Sequence, residues 1–392
     1  MNAFLENQEQ QDQLSRELLH SVDRFIENEL APRAKDIDEN DSYPWDLHDE
    51  AAKLGLFAIA LPEKYGGLGL ELRTRLELIE RIARCSGSFA VILSTWADAV
   101  PPIIEHGSEA LQAEVLPKVA SGEWCPAIAI SEPEAGSDAA AMTTLAEKVD
   151  GGWILSGTKT WCTHGGIADI VVVFAKSNPN LRSRGISAFM VRKGSKGFSV
   201  VRDEKLISVK GSPQSTLQFD RCFVPNADVL GEEGDGWKTA MSALDEARLN
   251  VSAKALGAAR ACLDIGIGYS RERIAFGKPI IEHQGLQFLL SELATEYVAA
   301  RAVWMQAIDA FEKHRDRRAG ILGSMAKNLC TEIAMRAAVE GIQVMGANGL
   351  SREVPLGRFM RDVKAYQIYD GTTQIHKMII GRYLQAEGMP ID

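Results

Sequence analysis

Residues 127–141 read AIAISEPEAGSDAAA, and the chain changes character on either side of this stretch. Before it, the runs 16–32, 47–60 and 73–85 place apolar residues three or four positions apart, which predicts helices. Pro32 and the turn-rich sequence LPEKYGGLGL (61–70) are expected to separate these helices. The stretch therefore closes a helical region.

After the stretch, the pattern becomes that of strands. Short β-rich runs at 167–177, 185–194 and 215–225 are separated by Gly, Ser, Asn and Asp, which is typical of a small antiparallel barrel or sandwich. Helical spacing returns from about residue 236. One apolar face of a long helix is formed by Leu286, Leu290, Leu293, Tyr297, Ala300 and Trp304. A second long helical pattern covers residues 319–346.

These changes of pattern predict three domains in a chain of 392 residues. We assign residues 1–123 to an N-terminal helical domain, 124–235 to a middle antiparallel β-domain and 236–392 to a C-terminal helical bundle. The predicted boundaries lie where one periodicity replaces the other.

Composition excludes several classes of protein. The formal charge of −10 argues against a general nucleic-acid surface, and six scattered cysteines without a CxxC pair favour reduced thiols over disulfides. The seven histidines form no HxxxH or HExxH pattern, so we expect no metal site. The sequence contains no run of about 18 or more uncharged apolar residues, so we expect no membrane span. The acidic, glutamine-rich start lacks a basic leader, so a cytoplasmic location is expected.

Two stretches near the domain boundary have the residues of a cofactor site. Ala135, Gly136 and Ser137 let a backbone approach a ring or a phosphate closely, although a polar interdomain turn fits equally well. Strand alternation places Trp161 and Thr163 on one face. A lone aromatic residue of this kind is more often part of a core than a platform for a cofactor.

Four motifs in order carry a resemblance to a known family. RERIAFGKPIIEHQ (271–284) and VMGANGLSREVPLGRFMRDVKAYQIYDGTTQIHKMIIGR (344–382), with the two stretches above, resemble the acyl-CoA dehydrogenases over nearly the whole chain. The resemblance implies that family's fold, with a C-terminal four-helix bundle. It also implies bound FAD, an acyl-CoA substrate, an electron transfer flavoprotein as acceptor, and a homotetramer.

The resemblance also implies roles for individual residues. Those around the isoalloxazine and ribityl part of FAD are Ile130, Ser131, Gly136, Ser137, Trp161 and Thr163. Those reaching the adenine and pyrophosphate in a neighbouring subunit are Arg273, Phe276 and Gln284. Those closing the FAD site from the other side are Gln343, Gly346, Thr372 and Gln374. Those at the acyl-CoA are Ser137, Asp245, Arg248 and Gly371. For Asp245 and Arg248, an exposed ion pair at i, i+3 is the structural alternative.

The chain departs from the family at the expected catalytic base. Most members carry Glu after the tyrosine of this motif, and this chain carries Asp370, which we expect to remove the α-proton. Some relatives place the base on a C-terminal helix, where this chain has Ala247. Glu246 is adjacent but points about 100° away around a helix. It is the fallback if Asp370 is not the base.

A second departure is Asp98, in the apolar run FAVILSTWADAVPPII. A carboxylate there is costly unless it is paired or protonated, so a structural pairing is one explanation. The other is a second catalytic acid/base acting on a distal carbon of the acyl group. Alicyclic members of the family use aspartate bases, so the resemblance suggests a cyclohexane- or cyclohexene-carboxyl-CoA substrate.

Smaller departures lie beside the expected flavin. Ala275 stands where a polar contact to the pyrophosphate is common, and Cys162 and His164 replace the more usual Ile and Asn. A spectator role is expected for His164, with titration near neutral pH as the alternative. Three other functions remain open: a short or branched straight-chain dehydrogenase, a flavin-binding member without dehydrogenation, and a flavin oxidase or monooxygenase.

Overall fold

A computed structural model describes the backbone of residues 2–390 and the side chains of residues 13–390. The first part of the chain is helical. Its seven α-helices are α1 (Asn2–Phe25), α2 (Ala31–Asn40), α3 (Trp45–Lys53), α4 (Leu72–Ala83), α5 (Gly87–Ala99), α6 (Pro101–His106) and α7 (Glu109–Ala120).

Two expectations for these helices need correction. Pro32 does not end a helix, because a π-helical turn, Ile26–Leu30, precedes it and the chain continues helical into α2. A π-helical turn lets the helix continue past a proline, because it accommodates the hydrogen bond that the proline nitrogen cannot donate. The helix predicted over 47–60 ends at Lys53, since Gly55 adopts φ +73° and turns the chain out of the helix.

The middle part of the chain forms one eight-stranded sheet. Its strands are β1 (Pro126–Ala129), β2 (Leu145–Val149), β3 (Gly152–Thr163), β4 (Ile170–Lys176), β5 (Ile186–Arg192), β6 (Phe198–Asp203), β7 (Gln214–Pro225) and β8 (Val229–Leu230). The strand order is β6-β7-β3-β2-β4-β5-β8, with β1 paired to β4. The long ladders are antiparallel as predicted, whereas β1 and β2 each meet β4 in parallel.

The last part of the chain is again helical. It contains α8 (Gly236–Glu272), a small hairpin of β9 (Ile274–Ala275) and β10 (Lys278–Pro279), α9 (Gln284–His314), α10 (Arg317–Met345), α11 (Leu356–Tyr366) and α12 (Thr373–Glu387). Helix α10 packs against α8, α9 and α12, which makes the predicted four-helix bundle. The predicted apolar face of α9 is buried from Leu290 to Trp304.

The helices before and after the sheet share one hydrophobic core, and the sheet has a smaller core of its own. Helices α4 and α5 pack on α8 within the shared core. One helical run in the described residues, Gly87–His106, is long and apolar enough to cross a membrane, but 83% of its apolar window is buried inside the protein. The run is therefore accounted for as part of the core.

Candidate active site

The turn between α11 and α12 presents the predicted base. Asp370 has φ +52° and Gly371 φ +95°, so two consecutive residues lie in the left-handed region. For a residue with a Cβ this conformation costs about 1–2 kcal/mol, and aspartate is among the residues that tolerate it best. Thr372 then caps α12, its hydroxyl accepting from the Ile375 N–H at 3.3 Å. The Asp370 side chain is left partly exposed.

Backbone carbonyls around Asp370 are held by two buried side chains that the sequence analysis missed. The Lys327 ammonium, from α10, donates to the carbonyl oxygens of Tyr369 (2.6 Å) and Gly371. The His376 Nε2–H, from the first turn of α12, donates to the carbonyl oxygen of Asp370 at 3.1 Å. Three consecutive carbonyls of the turn are thereby engaged.

Asp98 has partners on the facing helix. The Asn250 amide nitrogen donates to Asp98 Oδ1 at 2.8 Å, and the Lys254 ammonium donates to Ser94 Oγ at 2.7 Å. Ser94 and Asp98 are one turn apart on α5, and Asn250 and Lys254 are one turn apart on α8. The two helices therefore make two successive polar contacts. Each helix carries two polar residues at i, i+4 within an apolar stretch, and this spacing is the sequence signal that could have predicted the two contacts.

Charges of this cluster act on one another. Burial raises the pKa of Asp98 to about 7, against the opposing effect of Lys254, and the charge of Asp370 raises it further. Burial lowers the pKa of Lys254, whose ammonium also lies 5.3 Å from the centre of the Tyr369 ring. The Asp98 side chain stays partly exposed, whereas Lys254 is 2% exposed. The carboxylates of Asp98 and Asp370 are thus near enough for their charges to affect one another.

Glu246, the fallback base, is held by two arginine side chains from other parts of the chain. Its carboxylate pairs with Arg75 at 2.8 Å and with Arg315 at 3.5 Å, and it is buried. Ala247 is buried in the bundle and has no titratable group. Glu246 is therefore part of a buried ion-pair network, and its use as a base in place of Asp370 stays an untested alternative.

Asp245 and Arg248 pair with each other at i, i+3 on α8, as the structural alternative predicted. The pair is not exposed, however, since Arg248 is 8% exposed and its Nε is buried without a hydrogen-bond partner in the described residues. Burial raises the pKa of Asp245, and Arg248 opposes that rise. Arg248 thus keeps one buried donor that no hydrogen bond in the described residues uses.

The predicted flavin face lies on β3. Trp161 has φ +58° at a break in the β3–β7 register and is 56% exposed, so it is not a core residue. Thr163 is also off the core, and its hydroxyl donates to Gln214 Oε1 at 2.8 Å. A cleft of about 460 Å³ opens beside Trp161, lined by Pro133, Thr158, Thr160, Val201, Arg202, Glu204, Thr216 and Gln218.

The loop 130–137 is anchored by an ion pair that the sequence analysis did not single out. The buried Lys159 ammonium donates to the Ile130 carbonyl at 2.9 Å and to Glu132 at 2.8 Å. The Ser131 carbonyl accepts from the Thr160 N–H at 3.0 Å. Around Gly136 no atom lies within 4 Å of where a Cβ would stand, so the backbone there is open to a ligand, with Ser137 exposed beside it.

The two neighbours of the flavin face point inward. Cys162 is buried, and burial raises the pKa of its thiol to about 12. His164 is fully buried, and burial lowers its pKa to about 3. It packs edge-on against Tyr43 and Trp96. These buried aromatic surroundings favour the neutral form of His164, in keeping with the expected spectator role.

A second cleft, of about 400 Å³, lies where α8 and α10 end. It brings together three predicted cofactor residues, Arg273, Gln343 and Gly346. Phe276, at the tip of the β9–β10 hairpin, is 95% exposed, and Gln284 is exposed at the start of α9. Thr372 and Gln374 lie away from this cleft, at the start of α12. The predicted residues thus form separate groups on one subunit.

Sequence comparison decides the family. The models of the acyl-CoA dehydrogenase N-terminal, middle and C-terminal domains match residues 12–123, 127–222 and 234–385. The chain belongs to the acyl-CoA dehydrogenase family. As a member, it is an FAD-dependent oxidoreductase that acts on acyl-CoA.

Individual relatives match nearly end to end. An acyl-CoA dehydrogenase of Bacillus subtilis is 38% identical over 361 residues, which is 92% of this chain and 95% of the relative. A mitochondrial isovaleryl-CoA dehydrogenase of Oryza sativa is 38% identical over 382 residues, which is 96% of this chain and 92% of the relative. The structure of butyryl-CoA dehydrogenase from Megasphaera elsdenii superposes with a TM-score of 0.91 at 34% identity, covering 95% and 98% of the two chains.

The residues of this acyl-CoA dehydrogenase fit FAD. Trp161 offers an exposed ring beside an open glycine backbone, which suits a flat heterocycle. The guanidinium of Arg273 makes no ion pair among the residues that the structure describes, and it lines the second cleft beside Gly346. A free planar donor fork suits a pyrophosphate.

Proposed function

We propose that the dehydrogenase removes the Cα proton of its acyl-CoA with Asp370. The observation that supports the proposal most directly is the Asp370 turn, which leaves a carboxylate partly exposed between α11 and α12 with its backbone held on three carbonyls. Asp370 accepts the Cα proton, and bound FAD supplies the acceptor for the hydride that leaves the neighbouring carbon.

The substrate we propose is a cyclic acyl-CoA. Aspartate is one methylene shorter than glutamate, so its oxygens sit roughly 1.5 Å further back on the same backbone. The α-carbon must therefore come nearer or carry a bulkier group. A ring or a branch at Cα fills the space that a straight chain leaves empty.

Asp98 gives the proposal a second part. In a cyclohex-1-ene-1-carboxyl-CoA the α-carbon has no hydrogen, and the acidic position is the ring carbon conjugated through the double bond. Asp98 lies near enough to Asp370 for the charge of Asp370 to raise its pKa, and burial raises that pKa to about 7. We propose that it accepts this distal proton while the hydride leaves the opposite ring carbon, so that two hydrogens are removed and a conjugated diene forms.

A straight-chain or short branched substrate is the second candidate. It is supported by the relatives, which include a butyryl- and an isovaleryl-CoA dehydrogenase. In this case Asp98 serves only to bind Asn250 and to balance the charge of Lys254. For either substrate we propose an electron transfer flavoprotein as the acceptor.

Anaerobic flavin reduction tests both parts of the proposal. The FAD-loaded enzyme is mixed in a stopped-flow instrument with butyryl-, octanoyl-, isovaleryl-, cyclohexanecarboxyl- and cyclohex-1-enecarboxyl-CoA. We expect the cyclic esters to bleach the flavin about tenfold faster than butyryl- and octanoyl-CoA, because one methylene in a fitted pocket is worth about that factor. Faster reduction by the straight chains would refute the cyclic substrate and leave the dehydrogenase assignment intact.

The base is tested with Asp370→Asn, which keeps the volume and removes the basicity. We expect flavin reduction to fall about 10³-fold, within the usual range for loss of a general base. The spectral shift of the flavin on binding a CoA ester is the control, and it should persist because the fold and the cofactor are unchanged. Reduction at the wild-type rate would show that another group is the base.

A further inference from the structure

The Asp370 turn is held by side chains from two different helices. Lys327 is 1% exposed on α10, and His376 is fully buried on α12. Their donors converge on three consecutive carbonyls, those of residues 369, 370 and 371. We call Lys327 and His376 the carbonyl clamp.

We propose that the carbonyl clamp positions the Asp370 carboxylate for proton abstraction, so that Lys327 and His376 are positioning residues of the reaction. The inference rests on the proposed role of Asp370 as the base. It concerns the backbone beneath the base, and neither residue is proposed to touch the substrate.

The hydrogen-bond partners of the buried Lys327 ammonium support this role. A buried ammonium is costly unless it is paired, and it usually finds a carboxylate. Among the described residues Lys327 has no carboxylate within 4 Å, and its hydrogen bonds go to the two carbonyls that flank Asp370. Burial lowers its pKa to about 8, and the neighbouring charges of Arg248 and Lys254 lower it as well, against the effect of Asp370.

The chemistry of His376 is equally specific. Burial and the charges of Lys327 and Arg248 lower its pKa to about 3, so the imidazole is neutral and has a single N–H. Nε2 faces the Asp370 carbonyl and must carry that hydrogen, while Nδ1 is buried without a partner among the described residues. A Cβ on Gly371 would lie 2.9 Å from Nε2. The glycine is therefore required for the ring to reach the carbonyl.

The short side chain of the base makes the clamp necessary. Asp370 has no extra methylene whose rotation could compensate for a shift of the turn, so its carboxylate follows the backbone directly. The backbone is in the left-handed region at both Asp370 and Gly371, and it would relax to other conformations if the carbonyls were released. Holding the carbonyls holds the carboxylate.

The test uses variants that remove each donor. Lys327→Met and His376→Leu should lower the rate of anaerobic flavin reduction about 100-fold, the usual effect of a displacement of roughly 1 Å at a reacting group. Ester binding, followed by the flavin spectrum, should change by less than about threefold, because the clamp does not contact the substrate. His376→Gln returns an N–H near the Nε2 position and should recover most of the rate.

Lys377→Met is the matched control. Lys377 follows His376 on α12 but is exposed, with its ammonium 3.4 Å from Glu332. Its loss removes a lysine from the same helix without touching the turn. The variant should therefore reduce the flavin at the wild-type rate.

Hydrogen exchange of the amides of residues 368–373, in FAD-loaded enzyme without substrate, separates the clamp from the role of Asp370. We expect faster exchange in Lys327→Met and His376→Leu and wild-type exchange in His376→Gln. Unchanged exchange, or wild-type flavin reduction in both donor variants while Asp370→Asn is slow, overturns the clamp and leaves the base assignment standing. If Asp370→Asn itself is fast, the base assignment fails, and hydrogen exchange alone decides whether the clamp holds the turn.

Discussion

At the scale of single residues, this enzyme differs from the usual family pattern by having two carboxylates near one region. Asp370 is partly exposed on a strained turn, and Asp98 is bound by Asn250 with Lys254 nearby. The hydrogen bond explains how Asp98 is tolerated in an apolar helix. It engages only one carboxylate oxygen, Oδ1, and the second oxygen can accept another hydrogen bond or a proton.

Asp98→Asn separates the two roles of this residue. With cyclohex-1-enecarboxyl-CoA we expect flavin reduction to fall at least about 100-fold, because the distal proton loses its acceptor. With cyclohexanecarboxyl-CoA, which loses its proton to Asp370, the fall should stay below about fivefold. The comparison is made by stopped-flow on the same preparation. Equal losses with both esters would show that Asp98 is structural.

Glu246→Gln addresses the neighbouring carboxylate on α8. The change leaves the half-buried Arg75 guanidinium beside a neutral group, so we expect a loss of about 1–3 kcal/mol in the free energy of unfolding. The rate of flavin reduction should remain within about twofold of wild type, because the carboxylate is already paired with Arg75 and Arg315. Thermal melting and stopped-flow reduction measure the two effects. A large rate loss without loss of stability would return Glu246 to the list of candidate bases.

At the scale of elements, the loop 130–137 depends on an ion pair buried beneath it. Burial alone would raise the pKa of Glu132, but the Lys159 ammonium and the hydrogen bonds from Thr143 and Thr144 outweigh it and lower the pKa from 4.5 to about 2. Because the folded-state pKa is lowered, the contribution of Glu132 to stability is complete above pH 4.5 and is lost as the pH falls towards 2.

Glu132→Gln should remove this acid-sensitive contribution, about 3 kcal/mol for a shift of this size. The melting temperature of wild type should exceed that of the variant at pH 6. This difference in melting temperature should become smaller as the pH is lowered to 3. Both proteins are melted with FAD bound across that range. A gap that stays constant with pH would show that the Glu132–Lys159 pair does not supply the stability.

At the scale of the whole molecule, the residues that we propose for FAD lie on separate surfaces of one subunit. Trp161 lies on the sheet, whereas Arg273 and the exposed Phe276 lie at and beyond the end of α8. Such an exposed aromatic at a hairpin tip fits contact with another subunit. We propose a homotetramer, with the hairpin of one subunit completing the FAD site of its neighbour.

Arg273→Ala tests this arrangement through cofactor retention. Loss of the guanidinium removes a charged donor fork from the pyrophosphate, so we expect FAD affinity to fall about 10- to 100-fold. Dilution of wild type should release FAD as the oligomer dissociates, and analytical ultracentrifugation with absorbance at the flavin band follows both events. A folded monomer that holds FAD stoichiometrically would contradict the shared site.

The sequence by itself determined the order helix–sheet–helix, the family and the carboxylate at position 370. These features are local or follow from motifs in order, since the spacing of apolar residues depends only on near neighbours along the chain. Only the tertiary structure decided that Asn250 binds Asp98, that Glu246 pairs with Arg75, and that His164 is buried against aromatic rings. Those outcomes depend on contacts between residues far apart in the chain, such as the 152 positions that separate Asp98 from Asn250. The pattern of a single helix shows which face is buried, but the direction and charge state of a polar side chain are set by the partner that packing brings to it.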